Sequence, residues 1–207
     1  MNVGIVGFGS IGTEVARALI NGVEDFSLYG ITSRSKSNAQ ERIDKLDKNI
    51  KIFDLQALVD NCEIIIDCAP KEAFRDIATK CINKERKLIT VSGSGILDNL
   101  DLEELAKTNN SQIILATGAI LGLDALRAAA ESNINSVTMT TRKPPNALSN
   151  APFVINNNIQ LNNLLEPKLI FKGSATDGAK AFPANVNVAA AVGLAGIGAN
   201  KTKLEIW

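Results

Sequence analysis

With 207 residues, 45% of them hydrophobic, the chain has material for one large domain or two modest ones. Its 22 basic and 22 acidic side chains cancel, so it lacks the electrostatic footprint that binding to nucleic acid or to an anionic membrane requires, and neither is expected as a partner. The absence of histidine removes Ser-His-Asp and Cys-His catalysis, together with the commonest metal ligand.

Met1 leads almost directly into "VGIVGFG", without the basic segment and apolar run of a signal peptide, and no apolar stretch approaches membrane-spanning length. The cytoplasm is the expected compartment. Cys62, Cys68 and Cys81 are odd in number and lack metal-ligand spacing, which fits reduced, buried thiols; no metal site is expected.

Along the first half, short apolar runs ("VGIV", "SLYGIT", "IIIDCA", "LITVSG", "QIILATG") interleave with amphipathic segments ("IGTEVARALI", "EAFRDIATKCI", "DLEELAKT"). Runs that are continuous rather than alternating predict strands covered on both faces, hence a parallel sheet with crossover helices. The fold class read for residues 1–118 is therefore α/β, a Rossmann-type doubly wound dinucleotide-binding domain.

"GFGSIG" follows the first strand and opens the first helix, placing Gly7, Gly9 and Gly12 at the spacing G-x-G-x-x-G. Gly7 permits the tight turn, Gly9 admits a pyrophosphate to the backbone, and Gly12 lets helix and strand pack closely. At the end of the second strand, where an acid ordinarily meets the ribose hydroxyls, stand Ser33 and Arg34. An arginine there pairs with a 2′-phosphate that an acid would repel, which leans toward NADP or mixed use.

Beyond residue 118 the pattern changes: a helix "LDALRAAAES", an alternating strand "SVTMTTRKPP", an asparagine-rich surface connection, a strand "KLIFKGSA", a helix after "FPANVNV", and a last strand "KLEIW". Alternating strands joined without crossover helices predict a smaller α+β domain, 119–207, with a mostly antiparallel sheet. Period two puts Val137, Met139, Thr141 and Lys143 on one face, and a lysine ending that face either reaches solvent or points into a pocket; if the pocket holds a dicarboxylate, Lys143 or Arg142 could bind a carboxylate. An asparagine before the small-residue helix could cap it while keeping its amide for a ligand, and the small residues, Gly193 and Gly196 among them, would bring the helix close to sheet and cofactor.

"GIVGFGSIG", "DCAPKEA", "TGAILGLDAL", "TTRKPP" and "FKGSATDGAKAFPANVNVAAAVGLAG" occur in an order and spacing that resembles the L-aspartate dehydrogenase family over essentially the whole chain. The resemblance implies NAD(P)-dependent oxidation of L-aspartate to iminoaspartate, which hydrolyses to oxaloacetate and ammonia or feeds NAD biosynthesis, in a homodimer. It also implies cofactor contacts at Ser10 and Ile11, at Ala69 and Pro70 in "DCAPKEA", at Ala119, and at Asn185 or Asn187, with Asn187 also a candidate for the substrate. The family's catalytic histidine would fall shortly beyond "TKLEIW", past Trp207, so the second domain is expected to be C-terminally truncated and its sheet incomplete. The other readings are a non-catalytic or degenerate nucleotide-binding module, and a related dehydrogenase or reductase of aspartate-derived metabolites such as homoserine dehydrogenase or dihydrodipicolinate reductase.

Overall fold

The computed structural model describes residues 1–116, 119–162, 164–183 and 186–207. Two compact units divide the chain, Met1–Ala116 and Thr117–Trp207.

The first unit runs β1 (Asn2–Val6), α1 (Ser10–Ile20), β2 (Ser27–Thr32), α2 (Lys36–Leu46), α3 (Leu55–Asn61), β3 (Ile64–Asp67), a short 3₁₀ turn (Lys71–Ala73), α4 (Phe74–Asn83), β4 (Lys87–Thr90), α5 (Gly93–Leu97), α6 (Asp101–Thr108) and β5 (Gln112–Leu115). The five strands form one parallel sheet in the order β2-β1-β3-β4-β5. Successive side chains of a strand point to opposite faces, and β1 feeds both sides. Ile5 joins Phe8, Ala16, Ile31, Ala39 and Ile43 beneath α1 and α2, whereas Val6 joins Leu58, Ile65, Ile77 and Leu88 beneath α3, α4 and α6. Burial on both faces is why the central strands β1 and β3 read as unbroken apolar runs. The doubly wound fold expected for this half is present.

Two of its helices carry little apolar signal. Only Ala39 and Ile43 of α2 are buried, and the helix is started by Ser35, whose hydroxyl accepts from the Asn38 N–H at 3.4 Å. Asp54 caps the short α3, accepting from the Ala57 N–H at 2.7 Å. The caps, rather than the hydrophobic period, mark both starts.

The second unit contains α7 (Leu123–Ala130), β6 (Thr138–Thr141), α8 (Pro145–Leu148), α9 (Pro152–Asn156), β7 (Phe171–Ser174), α10 (Ala175–Ala181), α11 (Asn187–Ala195) and β8 (Lys203–Ile206). Phe153, Phe171 and Phe182 meet with ring centroids 5.3 to 5.5 Å apart, and Leu204 and Ile206 are buried on the inner side of β8. Ser174 caps α10, accepting from the Asp177 N–H at 3.0 Å.

The expected α+β character holds, but the small sheet is mixed. Its order is β6-β8-β7, with β7 antiparallel to β8 and β6 parallel to it. Alternation in "SVTMTTRK" reports one open face and carries no information about strand direction. The alternation itself is present: Met139, Thr141 and Lys143 are half-buried, while Thr138, Thr140 and Arg142 are exposed.

Candidate functional site

At the carboxyl edge of the parallel sheet, β1 has β2 on one side and β3 on the other, so the chain order reverses there and the crossover helices leave to opposite faces. Open α/β sheets bind ligands in the crevice outside such a point.

The glycine turn lies in this crevice. Gly7 has φ +89°, a left-handed conformation in which a side chain is strained, and its N–H donates to the Thr32 carbonyl at 2.9 Å. A Cβ on Gly7 would stand 2.7 Å from the Ala69 nitrogen and the Cys68 carbonyl, so the turn after β1 rests directly on the turn after β3. A Cβ on Gly12 would collide with the Gly7 carbonyl oxygen, which is why α1 can start tight against β1 only with glycine there. Gly9 differs: nothing lies within 4 Å of where its Cβ would be. Open space therefore faces the start of the 11-residue α1, at the exposed Ser10 and Ile11. The Thr13 hydroxyl donates to the Gly9 carbonyl at 2.7 Å and holds the first turn. The first N–H groups of a helix have no intrahelical acceptor and carry the positive end of its dipole, so this arrangement suits a pyrophosphate.

Ser33 and Arg34 lie just past β2, beside the same turn. The half-buried Ser33 hydroxyl donates to the Ser35 carbonyl at 3.3 Å, and Arg34 is exposed with no ion-pair partner among the described residues. Ala69 and Pro70 form the turn leading into the 3₁₀ segment, with the Ala73 N–H donating to the Pro70 carbonyl at 3.0 Å. In the first unit the structure thus gathers Gly7, Gly9, Ser10, Ile11, Gly12, Ser33, Arg34, Ala69 and Pro70 at one edge of one sheet.

Sequence reasoning passed over what supports this edge. Asp67 is 1% exposed; it accepts from the Ala69 N–H at 2.9 Å and from the Thr90 hydroxyl at 2.7 Å. Burial pushes its carboxyl above the usual range, against the opposing pull of those two donors. Burial also pushes the Cys68 thiol up to about 11, helped by the Asp67 carboxylate, and the Cys62 and Cys81 thiols up to about 11 and about 12. All three cysteines are free, and at neutral pH they are protonated and poor nucleophiles. The signal available in sequence was an aspartate ending an otherwise wholly apolar strand.

In the second unit, Ala119 lies in an exposed turn. Arg142 and Lys143 line a cavity of about 410 Å³ whose other walls are largely apolar, with Leu148, Leu161, Ile170 and Trp207 among them. Glu166 and Lys168 complete its charged groups. Asn185 lies outside the described residues. Asn187 is the first residue of α11 and half-buried; the N-cap is Val186, with no side-chain cap. The capping role proposed for an asparagine therefore does not belong to Asn187, which lies inside the first turn rather than at the cap. The small residues of α11 serve helix contacts: the helix packs on α7 and α10, and a Cβ on Gly193 would meet Ala199 at 2.7 Å.

Residues 7–116 match the family described as homoserine dehydrogenase, NAD binding domain, and residues 124–207 match aspartate dehydrogenase, C-terminal. The L-aspartate dehydrogenase of Bradyrhizobium diazoefficiens is 41% identical over 207 residues, covering 100% of this chain and 74% of its own length. The L-aspartate dehydrogenase of Methanocella arvoryzae is 39% identical, covering 99% of this chain and 77% of its own. Among solved structures, aspartate dehydrogenase from Thermotoga maritima superposes with a TM-score of 0.76 at 24% identity, covering 100% of this chain and 77% of that one, which bears on the fold.

The Cβ environments separate two glycine substitutions. Gly9→Ala should leave the urea-unfolding midpoint unchanged and raise the NADH dissociation constant at least tenfold, the equivalent of about 1.4 kcal/mol. Gly12→Ala should lower stability by about 2 kcal/mol through overpacking. Equal nucleotide affinity of Gly9→Ala and wild type in a fluorescence titration would remove the pyrophosphate assignment. A second expectation concerns pH. Because folding raises the Asp67 pKa, its contribution to stability is fully present below the unfolded carboxyl value of about 3.9 and is lost as pH rises through the folded value. The stability of Asp67→Asn relative to wild type should therefore move in the variant's favour between pH 4 and pH 7; urea melts at both pH values read the difference.

Proposed function

The chain belongs to the L-aspartate dehydrogenase family, and from that premise we propose that it catalyses NAD(P)-dependent oxidation of L-aspartate to iminoaspartate, which hydrolyses to oxaloacetate and ammonia. The observation that carries the reading is the glycine turn, with its open space at Gly9 before the first N–H groups of α1. When bound, the nicotinamide accepts the hydride from the substrate α-carbon.

The residues of this chain are assigned to holding the reactants. Gly7, Gly9, Ser10, Ile11 and Gly12 take the pyrophosphate, and Ala69 and Pro70 wall the crevice beside it. Ser33 and Arg34 face the adenosine ribose, where a cation with no carboxylate partner among the described residues favours a 2′-phosphate. Ala119, together with Asn187 or Asn185, is assigned to the nicotinamide portion, with Asn187 also reaching the substrate. Arg142 and Lys143 supply cations for the two carboxylates of aspartate, and the apolar cavity beside them would lower the local dielectric and strengthen that pairing. No residue among these 207 is assigned the amine proton: the chain has no histidine, and its cysteines are held protonated. A cytoplasmic homodimer supplying iminoaspartate to NAD biosynthesis completes the proposal.

The test is oxidation of NADH and NADPH with oxaloacetate plus ammonia, and the reverse reaction with L-aspartate, on the native gene product. Saturable turnover specific to aspartate is expected; nucleotide binding without turnover of any of these substrates would favour a non-catalytic binding module. Lys143→Ala should raise the aspartate KM roughly tenfold, the loss of about 1.4 kcal/mol, and an unchanged KM would remove the lysine from the substrate site. Arg34→Ala should lower the ratio of NADPH to NADH affinity by a similar factor, read from the two dissociation constants.

A further inference from the structure

The buried carboxylate of Asp67 spans two strands behind the glycine turn. In register it lies opposite Val6 of β1 and Thr90 of β4. One oxygen, Oδ1, holds the Ala69 N–H at 2.9 Å, and the other, Oδ2, holds the Thr90 hydroxyl at 2.7 Å. Thr90 Oγ1 in turn accepts from the Ser92 N–H at 2.9 Å, and the Ser92 hydroxyl accepts from the Gly95 N–H at 3.2 Å, at the start of α5. A single side chain thus fastens together the turns that follow two adjacent strands. The nitrogen it fixes, that of Ala69, is one of the atoms a Cβ on Gly7 would meet at 2.7 Å, and the neighbouring Cys68 N–H donates to the Val6 carbonyl at 2.7 Å.

We propose that Asp67 is a positioning residue of the nucleotide site, which through the Ala69 N–H and the Thr90 hydroxyl fixes the peptide wall on which the glycine turn rests, and so sets the affinity for the dinucleotide. The proposal rests on the nucleotide-binding reading above. Burying a carboxyl group among apolar strands is costly, and removing it would leave the Ala69 N–H and the buried Thr90 hydroxyl without their acceptor. Aspartate has two acceptor atoms at the reach of one short side chain, which matches two donors on neighbouring strands. Its titratable neighbours are the Cys68 thiol beside it and the Cys81 thiol on α4, both kept neutral by burial, and no charged side chain shifts its titration among the described residues.

The test compares Asp67→Ala, Asp67→Asn and Thr90→Val with wild type. NADH affinity is read by fluorescence, folding by circular dichroism at a temperature where each variant is folded, and exchange of the Ala69 amide by NMR in the absence of nucleotide. Asp67→Ala should raise the NADH dissociation constant at least tenfold and speed Ala69 amide exchange at least tenfold. Asp67→Asn, which keeps an acceptor for Ala69 and turns its Nδ2 toward Thr90 Oγ1, should bind within about threefold of wild type. Thr90→Val, nearly isosteric, should weaken binding at least threefold. Asp67→Ala folded and binding NADH within twofold of wild type overturns the proposal, as does Thr90→Val with unchanged affinity should Asp67→Ala not fold. Failure of the wild type to bind NADH would instead overturn the nucleotide reading itself, and it would be evident before any variant is compared.

Discussion

Backbone lies on backbone where Gly7 meets the Cys68–Ala69 peptide, and the organisation of the first unit follows from that approach. The turn after β1 can rest on the turn after β3 only if neither presents a side chain to the other, and the left-handed φ of Gly7 closes the turn in the space remaining. Its carbonyl then points at α1, where glycine at position 12 lets the helix begin within the same short distance. The result is a helix start aimed at the crevice, with Gly9 leaving the approach open. Three glycines in one motif thus perform three physical tasks: conformation at the first, access at the second and close packing at the third.

The second unit is held by different means. Three phenylalanine rings and the inner face of β8 form its centre, and small residues in α11 let that helix approach α7 and α10. Arg142 and Lys143 close the end of β6 beside an apolar cavity, where the Lys143 N–H donates to the Trp207 carbonyl at 2.9 Å. Charged groups at the end of a strand are well placed to reach a bound anion without disturbing the ladder that carries them.

What could be read from sequence tracks how strongly each feature writes itself into side-chain pattern. The parallel sheet was legible because β1 and β3 are buried on both faces and therefore continuous in apolar character. The glycine turn was legible because its spacing follows from geometry. Helix α2 was not, since it buries only two side chains and is otherwise polar, and α10 was hidden in "ATDGAKA", where a serine cap and small residues replace the usual apolar stripe. The direction of β6 could not be read because periodicity encodes faces rather than partners. Asn187 misled for a related reason: asparagine favours helix starts, but its place within the start depends on the preceding backbone, and Val186 takes the cap. The role of Asp67 was not legible, because its two donors come from residues 2 and 23 positions away and are brought together by the sheet.

The pairing order of the two sheets has a consequence for synthesis on the ribosome. In the first unit each strand after β1 joins one already made: β2 and β3 flank β1, β4 adds to β3, and β5 to β4. The nascent chain can therefore grow that sheet outward as it emerges. In the second unit β6 and β7 have only β8 as a ladder partner among the described residues, and β8 is translated after both. Two strand edges must wait for the one that joins them, so this half of the protein depends on release of its late segment from the exit tunnel, or on a chaperone that shields those edges until then.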